Sequence, residues 1–123
     1  MPTDDPYGAA LALREAGRED EAILALKQAV RSPRRRFEAA LLLGRLYRDR
    51  GEVHDAVEWL ERAVQTAPDA EATHGALYDL GCVLVSAGEP DRALAVFLEL
   101  RAEAPGFKDV SQRLKNLRRR VVR

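Results

Sequence analysis

Few side chains in this sequence are of the kind that does chemistry. The two histidines, His54 and His74, stand 20 residues apart, and neither has a cysteine or second histidine at metal-ligand spacing. Cys82 is the single cysteine. A nucleophilic thiolate needs a neighbouring base or cation, and the sequence sets neither visibly beside it. Cys82 therefore reads as a small apolar residue of a core or groove. Carboxylates are plentiful but scattered at the spacing of solvated faces. No glycine-rich phosphate loop occurs, because Gly44 and Gly81 lie inside helical patterns. The expectation is a chain without metal site, cofactor or catalytic constellation, and so not an enzyme.

The elements that carry these residues repeat. Gly-x-x-x-x-Ala followed by apolar residues occurs as Gly17-Arg-Glu-Asp-Glu-Ala22-Ile-Leu-Ala-Leu26 and as Gly51-Glu-Val-His-Asp-Ala56-Val-Glu-Trp-Leu60. It returns as Gly88-Glu-Pro-Asp-Arg-Ala93-Leu-Ala-Val-Phe97. The glycines are spaced by 34 and then 37 residues. A period of this size predicts stacked supersecondary units rather than one irregular core.

Each unit reads as two antiparallel helices. Ala40, Leu43, Gly44 and Tyr47 fall at i, i+3, i+4, i+7, one face of a helix. Gly51 ends it, since glycine takes the left-handed cap conformation at little cost. Ala56, Val57, Leu60, Ala63 and Val64 form a second stripe that Pro68 stops. The third unit repeats this grammar with Leu77, Leu80, Gly81 and Leu84, then Ala93, Leu94, Phe97 and Leu100, ending at Pro105. The first is weaker: Ala9, Ala10 and Leu13, then Ala22, Ile23, Leu26, Ala29 and Val30, ending near Pro33. The in-helix glycines and the three repeated alanines let paired helices approach closely. Trp59 is expected against a neighbouring helix, with an exposed convex anchor as the alternative.

Composition agrees with a globular chain: 46% apolar, 33% charged, net charge zero over 123 residues. The zero conceals a division. Residues 1–106 hold 13 Lys and Arg against 19 Asp and Glu, whereas 107–123 hold 7 against 1. No apolar run reaches the roughly 20 residues that span a bilayer. Thr3, Asp4, Asp5 and Pro6 are neither basic nor apolar, so no signal peptide is expected before the first unit. The lone cysteine fits a reducing cytoplasm, and the Ala- and Arg-rich composition points to a GC-rich bacterial source.

On these residues the chain resembles the tetratricopeptide repeat family. The second unit matches that family's pattern at Leu43, Gly44, Tyr47, Gly51, Ala56, Ala63 and Pro68, with Leu60 at the aromatic place. The third matches at Leu80, Gly81, Gly88, Ala93, Phe97 and Pro105, with Leu84 replacing tyrosine. The first matches at Gly17, Ala22 and Ala29, with Pro6 where a large residue is usual. Three extra residues near Asp69–Thr73 read as a longer loop or an extra helical turn. The resemblance implies an all-α, right-handed superhelical solenoid of three antiparallel helix pairs with a capping helix. The expected division is 3–106 for the repeats (about 3–36, 37–70 and 74–107) and 107–123 for an amphipathic basic cap. Val110, Leu114, Leu117 and Val121 form the cap's apolar stripe.

The resemblance also implies a site. First helices of such pairs line the concave surface, which maps here to Tyr7, Leu11 and Arg14, then Glu38, Leu41, Arg45 and Arg48, then Tyr78, Cys82 and Val85. An apolar wall with arginines in the middle suits a peptide or helix bearing apolar anchors and an acidic residue or free carboxylate. The alternative is that Arg45 and Arg48 are solvated partners of Asp49 or Glu52. Members that grip a Glu-Glu-Val-Asp tail use Lys, Asn, Asn, Lys and Arg. The matching positions hold Tyr7, Leu11, Leu42, Gly75 and Asp79, so a chaperone co-factor of that type is not implied.

Two basic stretches remain, Arg31, Arg34, Arg35 and Arg36 around Pro33, and Arg118, Arg119, Arg120 and Arg123. They could contact nucleic acid or an anionic surface, but no aromatic residues interleave them and no nucleic-acid motif is present. The simpler reading is solubilising charge and helix C-terminal cations. The expected function is a non-catalytic adaptor or scaffold that holds a segment of another protein. Self-association through an end face or Trp59 is the runner-up. Arg45→Glu with Arg48→Glu is expected to weaken partner binding without unfolding the chain.

Overall fold

The structure, a computed structural model, describes residues 5–121. Thr3, Asp4 and Arg123 lie outside the described residues, as does the side chain of Val121. Among the described residues there are seven helices and no strand. They are α1 (Pro6–Glu15), α2 (Glu19–Ala29), α3 (Arg36–Asp49), α4 (Val53–Thr66), α5 (Ala70–Ser86), α6 (Pro90–Glu103) and α7 (Val110–Val121).

The glycines explain the pairing. Gly17, Gly51 and Gly88 adopt φ of 77°, 78° and 75°. At each, the following residue's N–H returns to a carbonyl in the last turn: Arg18 to Leu13 at 2.9 Å, Glu52 to Tyr47 at 2.9 Å, Glu89 to Leu84 at 3.0 Å. This six-to-one closure satisfies orphan carbonyls and turns the chain back on itself. The result is three hairpins, α1 on α2, α3 on α4 and α5 on α6. Asp5 and Asp69 supply the signals that start α1 and α5, their carboxylates accepting from the N–H of Tyr7 (3.1 Å) and Ala72 (2.8 Å). Pro6 opens α1, where its missing N–H costs nothing. The three extra residues before the third pair form helix: α5 begins at Ala70 and runs 17 residues, against 14 for α3.

Within a pair, small residues set the distance. Ala22, Ala56 and Ala93 are fully buried. A Cβ on Gly44 would lie 2.6 Å from Leu60 Cγ, and one on Gly81 would lie 2.5 Å from the Phe97 ring. Between pairs the contacts are sequential: α2 meets α3, α4 meets α5, and α6 meets α7. Leu26, Leu43, Leu60, Leu77, Leu84, Phe97 and Leu100 are buried to 2% exposure or less. Each such burial is worth about 1.5–3 kcal/mol. Val110, Leu114 and Leu117 of α7 are buried as well, so α7 closes the apolar end that α6 would otherwise expose. Trp59 is also buried, with the Arg62 guanidinium 4.5 Å from its ring centroid. It packs within the fold, and the exposed convex anchor is corrected: the indole has too little free surface to lead an interface.

Candidate functional site: the inner face of the helix array

The residues expected in the groove fall into two groups. Tyr7, Leu11 and Arg14 of α1 and Glu38, Leu41 and Arg45 of α3 come together, with Leu42, around one open cleft of about 280 Å³. Leu11 is 38% exposed there, unusual for a large apolar residue. Arg14 beside it is exposed and forms no ion pair among the described residues. The Tyr7 ring lies under the Arg35 guanidinium, 4.9 Å from its carbon. Burial, then the neighbouring Glu38 charge, pushes the Tyr7 phenol above its usual pKa, so it is a neutral hydroxyl at physiological pH.

Tyr78, Cys82 and Val85 lie further along, where α7 reaches over α5. The Tyr78 hydroxyl donates to Asp109 Oδ1 at 2.5 Å and accepts from Arg113 Nε at 2.9 Å. Arg113 also donates to Asp109 at 3.1 Å. Lys108, at φ 44°, sets its ammonium 4.7 Å from the Tyr78 ring centroid. Burial and the hydrogen bond to Asp109 raise the Tyr78 pKa to about 12. The same bond, more than the Arg113 charge, holds the Asp109 carboxyl below its ordinary value. Cys82 is half-buried, and that burial pushes its thiol up. A thiol kept protonated is a poor nucleophile, in line with its reading as a packing residue.

The two central arginines are already engaged. Arg45 Nε donates to Asp79 Oδ2 at 2.9 Å, and Asp79 is the one buried charged residue among those described. Arg48 pairs with Asp49 at 3.1 Å, as the solvated alternative expected. Arg45 pairs with neither Asp49 nor Glu52 but across the joint between α3 and α5. The expectation that a double reversal of Arg45 and Arg48 spares the fold is revised accordingly, because Arg45→Glu would set a second carboxylate against the buried one of Asp79. The sequence reading missed Asp79, Asp109 and Arg113. Asp79 could have been found: it lies nine residues before Gly88, the place Leu42 holds before Gly51, and so on the first helix of the pair next to Arg45.

Two of the four arginines in the basic turn between α2 and α3, Arg35 and Arg36, are engaged within the fold. Arg36 donates to the carbonyls of Val30 (3.1 Å) and Arg31 (3.4 Å), just past the end of α2. Arg35 pairs with Glu38 at 3.1 Å and Asp5 at 3.5 Å. Among the described residues no group of His, Cys, Asp and Glu could hold a metal ion, and no helix is long and apolar enough to cross a membrane.

Helix pairs stacked in one line, with an inner cleft built from successive first helices, define a helical-repeat module for protein–protein interaction. The chain belongs to the tetratricopeptide repeat family: two models described as tetratricopeptide repeat match residues 7–71 and 75–106. Its right-handed solenoid is similar to a crystal structure of MamA, with a TM-score of 0.76 and 25% identity over 93% of this chain and 65% of that one. A structure of MamA AMB-1 aligns with a TM-score of 0.71 and 25% identity, covering 94% of this chain and 62% of that chain. In sequence it is 38% identical over 72 residues to human (Homo sapiens) protein O-mannosyl-transferase TMTC1, 58% of this chain but 8% of that protein. The chain therefore spans less than two thirds of these MamA chains and a small part of the human protein.

Proposed function

We propose that the chain is a non-catalytic adaptor that holds a peptide segment or helix of another protein against the cleft between α1 and α3. The observation that carries this reading is the cleft itself: exposed Leu11 beside uncommitted Arg14, with Leu41 and Leu42 opposite. An exposed apolar wall next to a free cation suits a partner with an apolar anchor and a nearby carboxylate. A preformed surface spares ordering cost on this side of the complex. Leu11→Glu with Arg14→Glu removes both elements at exposed positions and leaves the Arg45–Asp79 pair intact. Affinity capture from source lysate at moderate salt compares this variant with wild type, both first shown to melt alike. Proteins retained by wild type and lost from the variant are the expected result. Equal retention would move the site off this cleft.

A second reading has one observation in its favour: Leu24 on α2 is 63% exposed. Copies could associate through it. Light scattering across a concentration series separates the two, since a constant monomer mass removes self-association.

A further inference from the structure

We propose that the outer face of α7 docks the array onto an anionic lipid bilayer, through Lys115, Arg118 and Arg119. Docking of this kind goes beyond the adaptor reading and does not rest on the α1–α3 cleft. α7 packs on α6 and, through Arg113 and Tyr78, on α5. Val110, Leu114 and Leu117 are turned inward and buried, whereas Ser111, Gln112, Lys115, Arg118 and Arg119 are exposed. Lys115 and Arg119, at i and i+4, stand on one side of the helix, away from the buried stripe.

The three cations are unpaired. Elsewhere, Arg45, Arg50 and Arg92 are each neutralised by a carboxylate of a neighbouring unit: Asp79 at 2.9 Å, Asp20 at 2.7 Å and Glu61 at 2.6 Å. Lys115, Arg118 and Arg119 make no ion pair or hydrogen bond among the described residues. Asp109, the one acid of residues 107–123, is already held by Tyr78 and Arg113. Like charges at i, i+4 repel, so the fold carries this cluster at a cost that an external counter-charge would relieve. The helix macrodipole explains cations in the last turn, which takes in Arg118 and Arg119. Lys115 lies a turn earlier, beyond that effect.

The chemistry of the face selects the counter-charge. A protein interface centres on aromatic or aliphatic anchors, and no apolar side chain is exposed between 111 and 119. Binders of single-stranded nucleic acid stack bases on aromatic rings, and α7 has none. Gln112, whose amide is of the kind that reads base edges, spends that amide on Asn116 Oδ1 at 3.2 Å. A bilayer surface asks for neither anchor nor ring: clustered Lys and Arg on a helix suffice, each strengthening binding about fivefold. The division of charge sets the orientation. Residues 107–123 are strongly basic and 1–106 acidic. The field of the membrane falls off within a Debye length of about 8 Å. It therefore acts on α7, the last helix of the array, and leaves the α1–α3 cleft facing away from the membrane.

Co-sedimentation of the full chain with vesicles tests this. Phosphatidylcholine vesicles with about 30% phosphatidylserine should bind it at about 0.05 M salt and release it at about 0.5 M, and phosphatidylcholine alone should not bind it. Lys115→Gln with Arg118→Gln and Arg119→Gln should weaken binding about a hundredfold, three steps of about fivefold. Exchanging the same cations, Lys115→Arg with Arg118→Lys and Arg119→Lys, should preserve it, and so should Leu11→Glu with Arg14→Glu. Equal binding to neutral and anionic vesicles, binding to neither, or full retention by the glutamine variant would each overturn the proposal. A mixed-sequence DNA duplex that strips the chain from anionic vesicles at matched charge concentration would assign the face to nucleic acid and overturn the lipid. No such failure touches the α1–α3 cleft, which the lysate capture tests separately.

Discussion

The joint between α1 and α3 and the joint between α3 and α5 use equivalent positions differently. Leu11 and Arg45 occupy the same place in the first and second units, six residues before the turn glycine. Leu42 and Asp79 likewise correspond in the second and third. At the first joint, Leu11 and Leu42 line an open cleft. At the second, Arg45 and Asp79 are joined at 2.9 Å and Asp79 is buried. The register before the turn glycine is common to both. The first joint leaves apolar surface exposed at Leu11, whereas the second consumes its side chains in holding two units together. In a repeat protein, then, the same register can stay open in one unit and serve cohesion in the next.

The largest effect should come from reversing the charge in the second joint. Arg45→Glu sets two carboxylates against each other, one buried, and should lower stability by about 2–3 kcal/mol in denaturant melts, discounted from a fully buried pair because Arg45 is 44% exposed. Installing the first joint's chemistry in the second, Arg45→Leu with Asp79→Leu, should leave stability within about 1 kcal/mol of wild type or raise it. A large loss in this double variant would show that the ion pair contributes more than apolar packing can replace, and the contrast between the joints would fail.

Smaller losses should follow from closing the gap inside each pair. Gly44→Ala and Gly81→Ala should each cost about 1–3 kcal/mol of overpacking, less the gain in helix propensity. Gly44 should be the worse, because its added methyl would meet Leu60 Cγ at 2.6 Å with the Leu60 backbone nitrogen at 3.3 Å, whereas Gly81 faces only the far edge of the Phe97 ring. Equal melting temperatures for the two would contradict that ordering.

The smallest effect belongs to the joint between α5 and α7. Tyr78→Phe should cost at most about 1 kcal/mol at neutral pH. Its signature is the pH profile. With its pKa raised from 10 to about 12 in the folded chain, Tyr78 contributes stability that is intact below pH 10 and lost as pH climbs toward 12. Asp109, lowered from 3.8, contributes stability present above that value and lost as pH falls below it. In Tyr78→Phe the alkaline loss should vanish and the acid loss shrink. Unchanged profiles from about pH 3 to 12 would mean the network contributes nothing to cohesion.

The fold was legible because its determinants are local. A glycine that must take positive φ, an alanine or glycine that must admit a neighbour, and an apolar stripe at helical spacing each leave a mark in the sequence. The site was legible in part. Tyr7, Leu11, Arg14, Glu38, Leu41 and Arg45 do surround one cleft, since position within a repeat fixes which way a residue faces. What escaped was which charges are free. Arg45 looked available because its neighbours in sequence, Asp49 and Glu52, are not its partners; the partner stands one repeat away. Tyr78 looked like groove surface because α7 lies outside the repeat pattern, so nothing in the register announced that Arg113 and Asp109 would cover it.

The purely sequential contacts of the array have a further consequence. Each pair is held only by its neighbours, so the molecule should open like a zipper rather than melt at every point together. The two ends are unequal. At α1, a helix of ten residues, Ala10 is the one buried residue; at the other end, α7 is fastened by three buried apolar residues and the Tyr78 network. Fraying therefore begins at α1, the helix that carries half of the proposed cleft. A partner seated across α1 and α3 would close the zipper at its loose end, so that binding and the integrity of the first unit become a single equilibrium.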